Sequence, residues 1–203
     1  MKVKLLASFV LFAAFCADGQ GTTFLYDQQS SMNSGYYGYG GGPFFINMVP
    51  NTGQSFTPGL PGVDFIRLSI ADGNLTDGLG STWFLNLRSD SITGPILGTT
   101  ATVYLADLHA GAADFLFPNT IPLTPGTSYF FDINSPDGAA WNIFTGNFAY
   151  PGGNAWGRNQ SLDFTDYWFR EGLVVPEPSV VGLFLIGGCS LLWCKSRKKQ
   201  RAG

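Results

Sequence analysis

Only 12% of the 203 residues are charged, about half the usual globular share of about 25%, while glycine reaches 27. The net charge of −3 is unevenly spread. Between positions 20 and 175, four arginines and no lysine face twelve acids, a balance of −8. A phosphate backbone would be repelled by such a body, so no nucleic-acid partner is expected; neutral sugars, divalent cations and other proteins remain.

At the N-terminus Lys2 and Lys4 precede an uncharged run over 5–15. A short cationic region followed by an apolar one is the pattern of a secretory signal peptide, expected over residues 1–19, with the small residues Ala17 and Gly19 near the cut. A lipobox is disfavoured because the bulky Phe15 directly precedes Cys16. The other two cysteines are Cys189 and Cys194, so the body between the ends has none. It can build neither a disulfide framework nor a thiolate metal site, and must hold together by packing.

Strand signals then recur about every ten residues, punctuated by Gly, Pro, Asn and Asp. The first is short, at 24–27, and a Gly- and Tyr-rich stretch over 30–42 reads as a loop. Further strands are expected at 44–48, 54–57, 63–70, 82–89, 102–106, 114–117, 128–133, 141–144, 146–150 and 166–170. In the strand over 63–70, Ile66, Leu68 and Ile70 share one face while Arg67 and Ser69 take the other. In that over 82–89, Trp83, Leu85 and Leu87 oppose Asn86 and Arg88. Such period-two alternation buries one face per strand, the habit of antiparallel sheets. The fold class expected is all-β, an antiparallel β-sandwich of jelly-roll type over residues 20–174.

Catalytic chemistry finds little to work with. His109 is the sole histidine, it lies in a loop-like stretch, and no nucleophile elbow accompanies it. Most of the aspartates sit beside turn residues, and Glu171 is the one glutamate of the body, so a paired-carboxylate hydrolase is not expected either. Asp72, Asn74 and Asp77, in Asp-Gly-Asn-Leu-Thr-Asp-Gly, offer oxygens to Ca²⁺, although their spacing is not that of an EF-hand and Asp-Gly is ordinary hairpin chemistry. No cofactor is otherwise called for. Trp156 is expected in a Gly-rich loop between Asn154 and Arg158. An exposed indole there would stack on a sugar ring while the polar neighbours caught its hydroxyls; folded back, it would plug one end of the sandwich.

The C-terminal stretch reads as an address. Pro176-Glu177-Pro178 is rigid and extended, since two prolines bar both helix continuation and strand pairing. From Val180 to Cys194 no side chain is charged, and a helix over 180–194 would be roughly 22 Å long at about 1.5 Å per residue. That is short for a bilayer core of about 30 Å, and local thinning or snorkelling of the flanking cations would make up the difference. Lys195, Arg197, Lys198, Lys199 and Arg201 then resist crossing and keep that end cytoplasmic.

Taken together, Pro176-Glu177-Pro178, the Gly-containing apolar segment and the basic tail resemble the PEP-CTERM sorting signal of Gram-negative bacteria, over residues 175–203. The resemblance implies recognition by exosortase, cleavage near the Pro-Glu-Pro, a passing stay in the inner membrane, and release to the outer envelope or the extracellular polymer layer. A second likeness lies in the body. Gln54-Ser55-Phe56-Thr57, Ile66-Arg67-Leu68, Leu85-Asn86-Leu87-Arg88, Gly94-Pro95-Ile96-Leu97-Gly98, Phe115-Leu116-Phe117 and Leu123-Thr124-Pro125-Gly126-Thr127-Ser128-Tyr129 are similar to the β-sandwich bodies found ahead of such tags. Some of those are related in shape to galactose-binding-like domains. The function expected is thus a non-catalytic, exported protein with a structural or adhesive role in an exopolysaccharide layer. The alternatives are a carbohydrate-binding module and, behind it, an envelope hydrolase.

Overall fold

The computed structural model describes residues 22–30, 44–45, 50–137, 141–146, 150–163 and 165–176. One compact unit spans Phe24–Val174; the other, Met1–Thr23 with Val175–Gly203, contributes only residues 22, 23, 175 and 176 to the description. The leader over 1–19, Glu177, Pro178, the segment over 180–194 and the basic residues after it lie outside the described residues, as does most of the strand expected over 146–150.

All regular structure among the described residues is β. In chain order the strands are β1 (Thr22–Ser30), β2 (Phe44–Phe45), β3 (Gly53–Phe56), β4 (Gly62–Asp72), β5 (Ser81–Ser89), β6 (Ile96–Thr99) and β7 (Val103–Leu105). They continue with β8 (Ala110–Pro122), β9 (Tyr129–Asn134), β10 (Trp141–Ile143), β11 (Ala155–Gly157), β12 (Gln160–Leu162) and β13 (Phe169–Pro176). Every pairing between them described is antiparallel.

The strands form two sheets. The first runs β1-β13-β4-β10-β2, with β8 on the other edge of β4; the second runs β12-β11-β3-β9-β5-β6, with β7 also on β5. One edge of β4 pairs with β8 from Gly62 to Ala71, apart from a bulge between Val63 and Phe65. Its opposite edge is shared by β13, against Phe65 to Leu68, and β10, against Ile70 to Asp72. The bulge has a purpose that alternation alone would miss. Asp64 alone stands opposite residues 117–120 of β8 there, and Val63 on one side of it and Ile66, Leu68 and Ile70 on the other all join the core.

Inward residues of both sheets form one apolar cluster. Phe169 of the first sheet meets Phe131 and Phe56 of the second at ring-centroid distances of 5.7 and 6.4 Å, and Trp83 meets Trp141 edge-on at 6.1 Å. Offset and edge-on contacts of this kind add to the burial of large rings. The core is therefore clamped at two places, one near Phe169 and one near Trp141. Two antiparallel sheets around one shared core are the layout of a β-sandwich.

The expected alternations of 63–70 and 82–89 are present. β8 is longer than its sequence signal over 114–117, because Gly111, Ala112 and Ala113 before it and Pro118 and Asn119 after it carry weak strand propensity. Pairing with β4 extends it on the first flank from Ala110 to Ala113, and on the second resumes past the bulge at Ile121 and Pro122. β6, β11 and β12 have no counterpart among the expected strands; each is three or four residues long and too short to show a period.

Candidate functional site

Trp156 lies in strand β11, not in a loop. β11 and β12 make a tight hairpin whose two turn residues, Arg158 and Asn159, have φ of 54° and 61°. Left-handed conformation at both central positions is the type I′ arrangement, which matches the twist of the flanking strands. Arg-Asn is an uncommon filling for it, so the hairpin was hidden in the sequence.

Ala155 points into the core and Trp156 outward. The indole is half-buried: its N–H donates to Ser55 Oγ at 3.4 Å, and its ring stands edge-on to Phe130 at 5.6 Å. Asn154 is exposed, with its backbone tied to β3. Its N–H donates to Ser55 Oγ at 2.8 Å and its carbonyl accepts from Ser55 N–H at 2.9 Å. Arg158 is exposed in the turn, where its N–H donates to Pro50 O at 2.9 Å. The three residues therefore share the edge hairpin of the second sheet, with one anchored aromatic and two exposed polar side chains around it.

Farther across the same outer face lies a tied polar network. Arg88 pairs with Asp132 at 2.7 Å, Asn134 Nδ2 donates to Asp132 Oδ2 at 2.8 Å, and Thr99 Oγ1 donates to Asn86 Oδ1 at 2.8 Å. The Arg88 guanidinium also donates to Gly94 O at 2.7 Å, which draws the β5–β6 loop over this part of the sheet. The network is occupied in holding that loop.

At one end of the sandwich three carboxylates converge. Asp72 closes β4, Asp77 follows in the β4–β5 loop, and Asp107 comes from the β7–β8 loop; their oxygens lie within 4.8 Å of one another. Asp72 Oδ1 accepts Asn74 N–H at 2.8 Å and Oδ2 accepts Leu108 N–H at 3.1 Å, while Asp77 Oδ1 accepts Leu79 N–H at 2.9 Å. Asp107 Oδ1 is closed off from solvent without a hydrogen-bond partner. Desolvation, followed by the neighbouring Asp72 carboxyl, pushes the Asp107 carboxyl up.

Asp72 and Asp77 thus come together as the sequence suggested. Asn74 contributes its backbone N–H to Asp72, and its side-chain oxygen accepts from Thr76 Oγ1 at 3.0 Å. The third carboxylate is Asp107, which sequence spacing could not reveal because it is supplied by another loop. Three carboxylates at this separation suit a hard cation that takes six to eight oxygens. His109 lies in the β7–β8 loop and is half-buried. Its ring stacks on Trp141 at 6.3 Å, its Nε2 is buried without a partner, and its carbonyl accepts Asp72 N–H at 2.8 Å.

Glu171, the one glutamate of the body, is buried. It belongs to the inward face of β13 with Phe169, at 0% exposure. No protein-family model matches the chain, and no curated protein matches it at a significant level.

Like charges this close oppose folding unless a counter-charge joins them. In chelator, Asp107→Asn is accordingly expected to raise the melting temperature at neutral pH. Because the folded-state Asp107 carboxyl is raised, its ionisation costs stability as pH rises, so the advantage of the variant shrinks as pH falls into the carboxylate range. A bound cation reverses the result: in calcium the same substitution would lower the melting temperature. Thermal melts of both proteins in chelator and in calcium read the sign directly.

Proposed function

We propose that the chain is an exported cell-envelope protein, sorted through a PEP-CTERM signal by exosortase, whose jelly-roll sandwich serves as a non-catalytic structural or adhesive element of an exopolysaccharide layer. The observation that carries this reading is the position of the body within the sequence. The compact unit ends at Val174, one residue before the stretch that resembles the sorting signal, and begins at Phe24, just after the leader-like stretch. The acidic, cysteine-free body between them is held by packing alone, as an extracellular protein without disulfides requires. Before processing, the basic residues after position 194 would hold the C-terminus on the cytoplasmic side of the inner membrane.

Expression of the chain in a host with and without an active exosortase tests the sorting. With the enzyme, the mature protein is expected in the envelope or medium without residues beyond the Pro-Glu-Pro. Replacing Pro176, Glu177 and Pro178 with alanine should leave the full-length chain in the membrane. Intact mass of the recovered protein decides between them, and a full-length envelope product in the presence of the enzyme contradicts the reading.

One observation favours carbohydrate binding as a second reading. The Trp156 indole is fixed by Ser55 and Phe130 on an edge hairpin, with Asn154 and Arg158 exposed beside it. An aromatic already held in place loses little entropy on stacking with a sugar. On a glycan array the full chain would then retain neutral polysaccharide, and Trp156→Ala would weaken retention by about 30-fold, corresponding to loss of a hot-spot aromatic at about 2 kcal/mol. Unchanged retention removes the platform.

A further inference from the structure

We propose that Glu171 and Asp27 hold one proton between them, and that this acid–carboxylate pair fastens β1 to β13 only while the proton is present.

Glu171 has 0% exposure, and both of its carboxyl oxygens are sealed from solvent with no well-formed hydrogen bond among the described residues. An ionised carboxylate so placed would face the full cost of desolvation. Its neighbour across the sheet is β1. A Cβ placed on Gly172 would stand 1.9 Å from Leu25 O and 3.0 Å from Asp27 N, so this part of β13 lies against residues 25–27. Asp27 Oδ2 is engaged by Gly59 N–H at 2.7 Å and Leu60 N–H at 2.8 Å, while Oδ1 receives only a long contact from Gln28 Nε2 at 3.4 Å. Two ionised carboxylates side by side have no donor between them. One proton on Glu171 supplies it, turning a repulsion into an O–H···O⁻ hydrogen bond of the strong, charge-assisted kind.

Among the described residues the surroundings contain more acids and no cation to take the place of the proton. Tyr150 donates its hydroxyl to Gln28 Oε1 at 3.2 Å, and its N–H donates to Asp166 Oδ2 at 3.1 Å. Asp166 is buried and also accepts Gln54 Nε2 at 2.9 Å. On β4, Asp64 accepts Val174 N–H at 2.8 Å. The body's arginines are elsewhere. Arg67 pairs with Asp114, Arg88 pairs with Asp132, Arg158 lies in the β11–β12 turn, and Arg170 lies over the Tyr26 and Trp168 rings, 5.1 and 5.2 Å from their centroids. Alternation along β13 puts Arg170 on the face opposite Glu171. Burial, then the charge of Asp27, pushes the Glu171 carboxyl up to about 8, even though the nearby Gln28 backbone N–H pulls it down.

A folded-state value raised from 4.5 to about 8 means that the native protein holds the proton more tightly than the unfolded chain does. The stabilisation is fully present below pH 4.5, declines through the interval and is gone above about pH 8. At neutral pH the pair is closed, and alkalinity opens it.

The chain itself supplies a clean probe, because its only glutamates are Glu171 and Glu177. Labelling glutamate with carbon-13 at the side-chain carboxyl gives two resonances in the full-length protein. We expect one to titrate in the ordinary carboxylate range and the other near pH 8. Loss of the high-titrating signal in Glu171→Gln, or loss of the ordinary one in Glu177→Gln should the first variant fail to fold, makes the assignment. In parallel, the folding constant of the wild type should fall with pH more steeply than that of Glu171→Gln, by up to tenfold per pH unit between pH 4.5 and about 8. Two ordinary titrations, or parallel pH profiles, overturn the proposal. So does a Glu171 resonance that shifts with calcium or chelator at constant pH, which would make the pair a cation site instead.

Discussion

β4 has no edge open to solvent for most of its length: β8 closes one side, and β13 and β10 share the other. Backbone amides and carbonyls shut away from water must be paired, and β4 meets this requirement with three different strands. The junction where β13 gives way to β10 is bridged in the same manner. Phe144 N–H donates to Ser69 O at 3.0 Å and Trp168 N–H to Phe144 O at 2.8 Å. Because β4 also presents Ile66, Leu68 and Ile70 to the core, the two clamps at Phe169 and Trp141 are both fixed by registers set on this strand. The carboxylate cluster begins at its last residue, Asp72, and the Glu171 seam lies on the strand beside it.

Charge is distributed by face. Arg67 and Arg88 sit on outward sides of their sheets, each with an aspartate, and both have most of their side chains covered. The inward and end-facing acids, Glu171, Asp166, Asp72 and Asp107, lack such partners among the described ion pairs. A body with four arginines and twelve acids cannot pair them all. Backbone donors take up part of the excess, as Leu108 N–H does for Asp72 and Tyr150 N–H does for Asp166. A proton at Glu171 takes up another part. An unpaired acid buried in this way is destabilising unless neutralised, so the sites left over are the places where pH or a cation can act.

The all-β class was legible because the alternation Ile66, Leu68, Ile70 and that of Trp83, Leu85, Leu87 are strict and each is bounded by turn residues. What stayed hidden depended on long-range pairing. The β11–β12 hairpin follows from an Arg-Asn turn in left-handed conformation, with no glycine at its centre to announce it. The bulge between Val63 and Phe65 changes which residues face inward without any compositional sign. Asp107 joins Asp72 across 35 positions, which no spacing rule connects. Glu171 did have a signal: counting by two from Phe169 puts it on the apolar face.

Hydrogen exchange at the amides of β4 tests most directly the claim that this strand holds both sheets in register. If it does, amides from Phe65 to Ala71 exchange only through global unfolding, with an opening free energy equal to that from denaturant, while those of β12 at the sheet edge exchange far sooner. Exchange of the β4 amides by local opening, at rates like those of β12, would contradict the account.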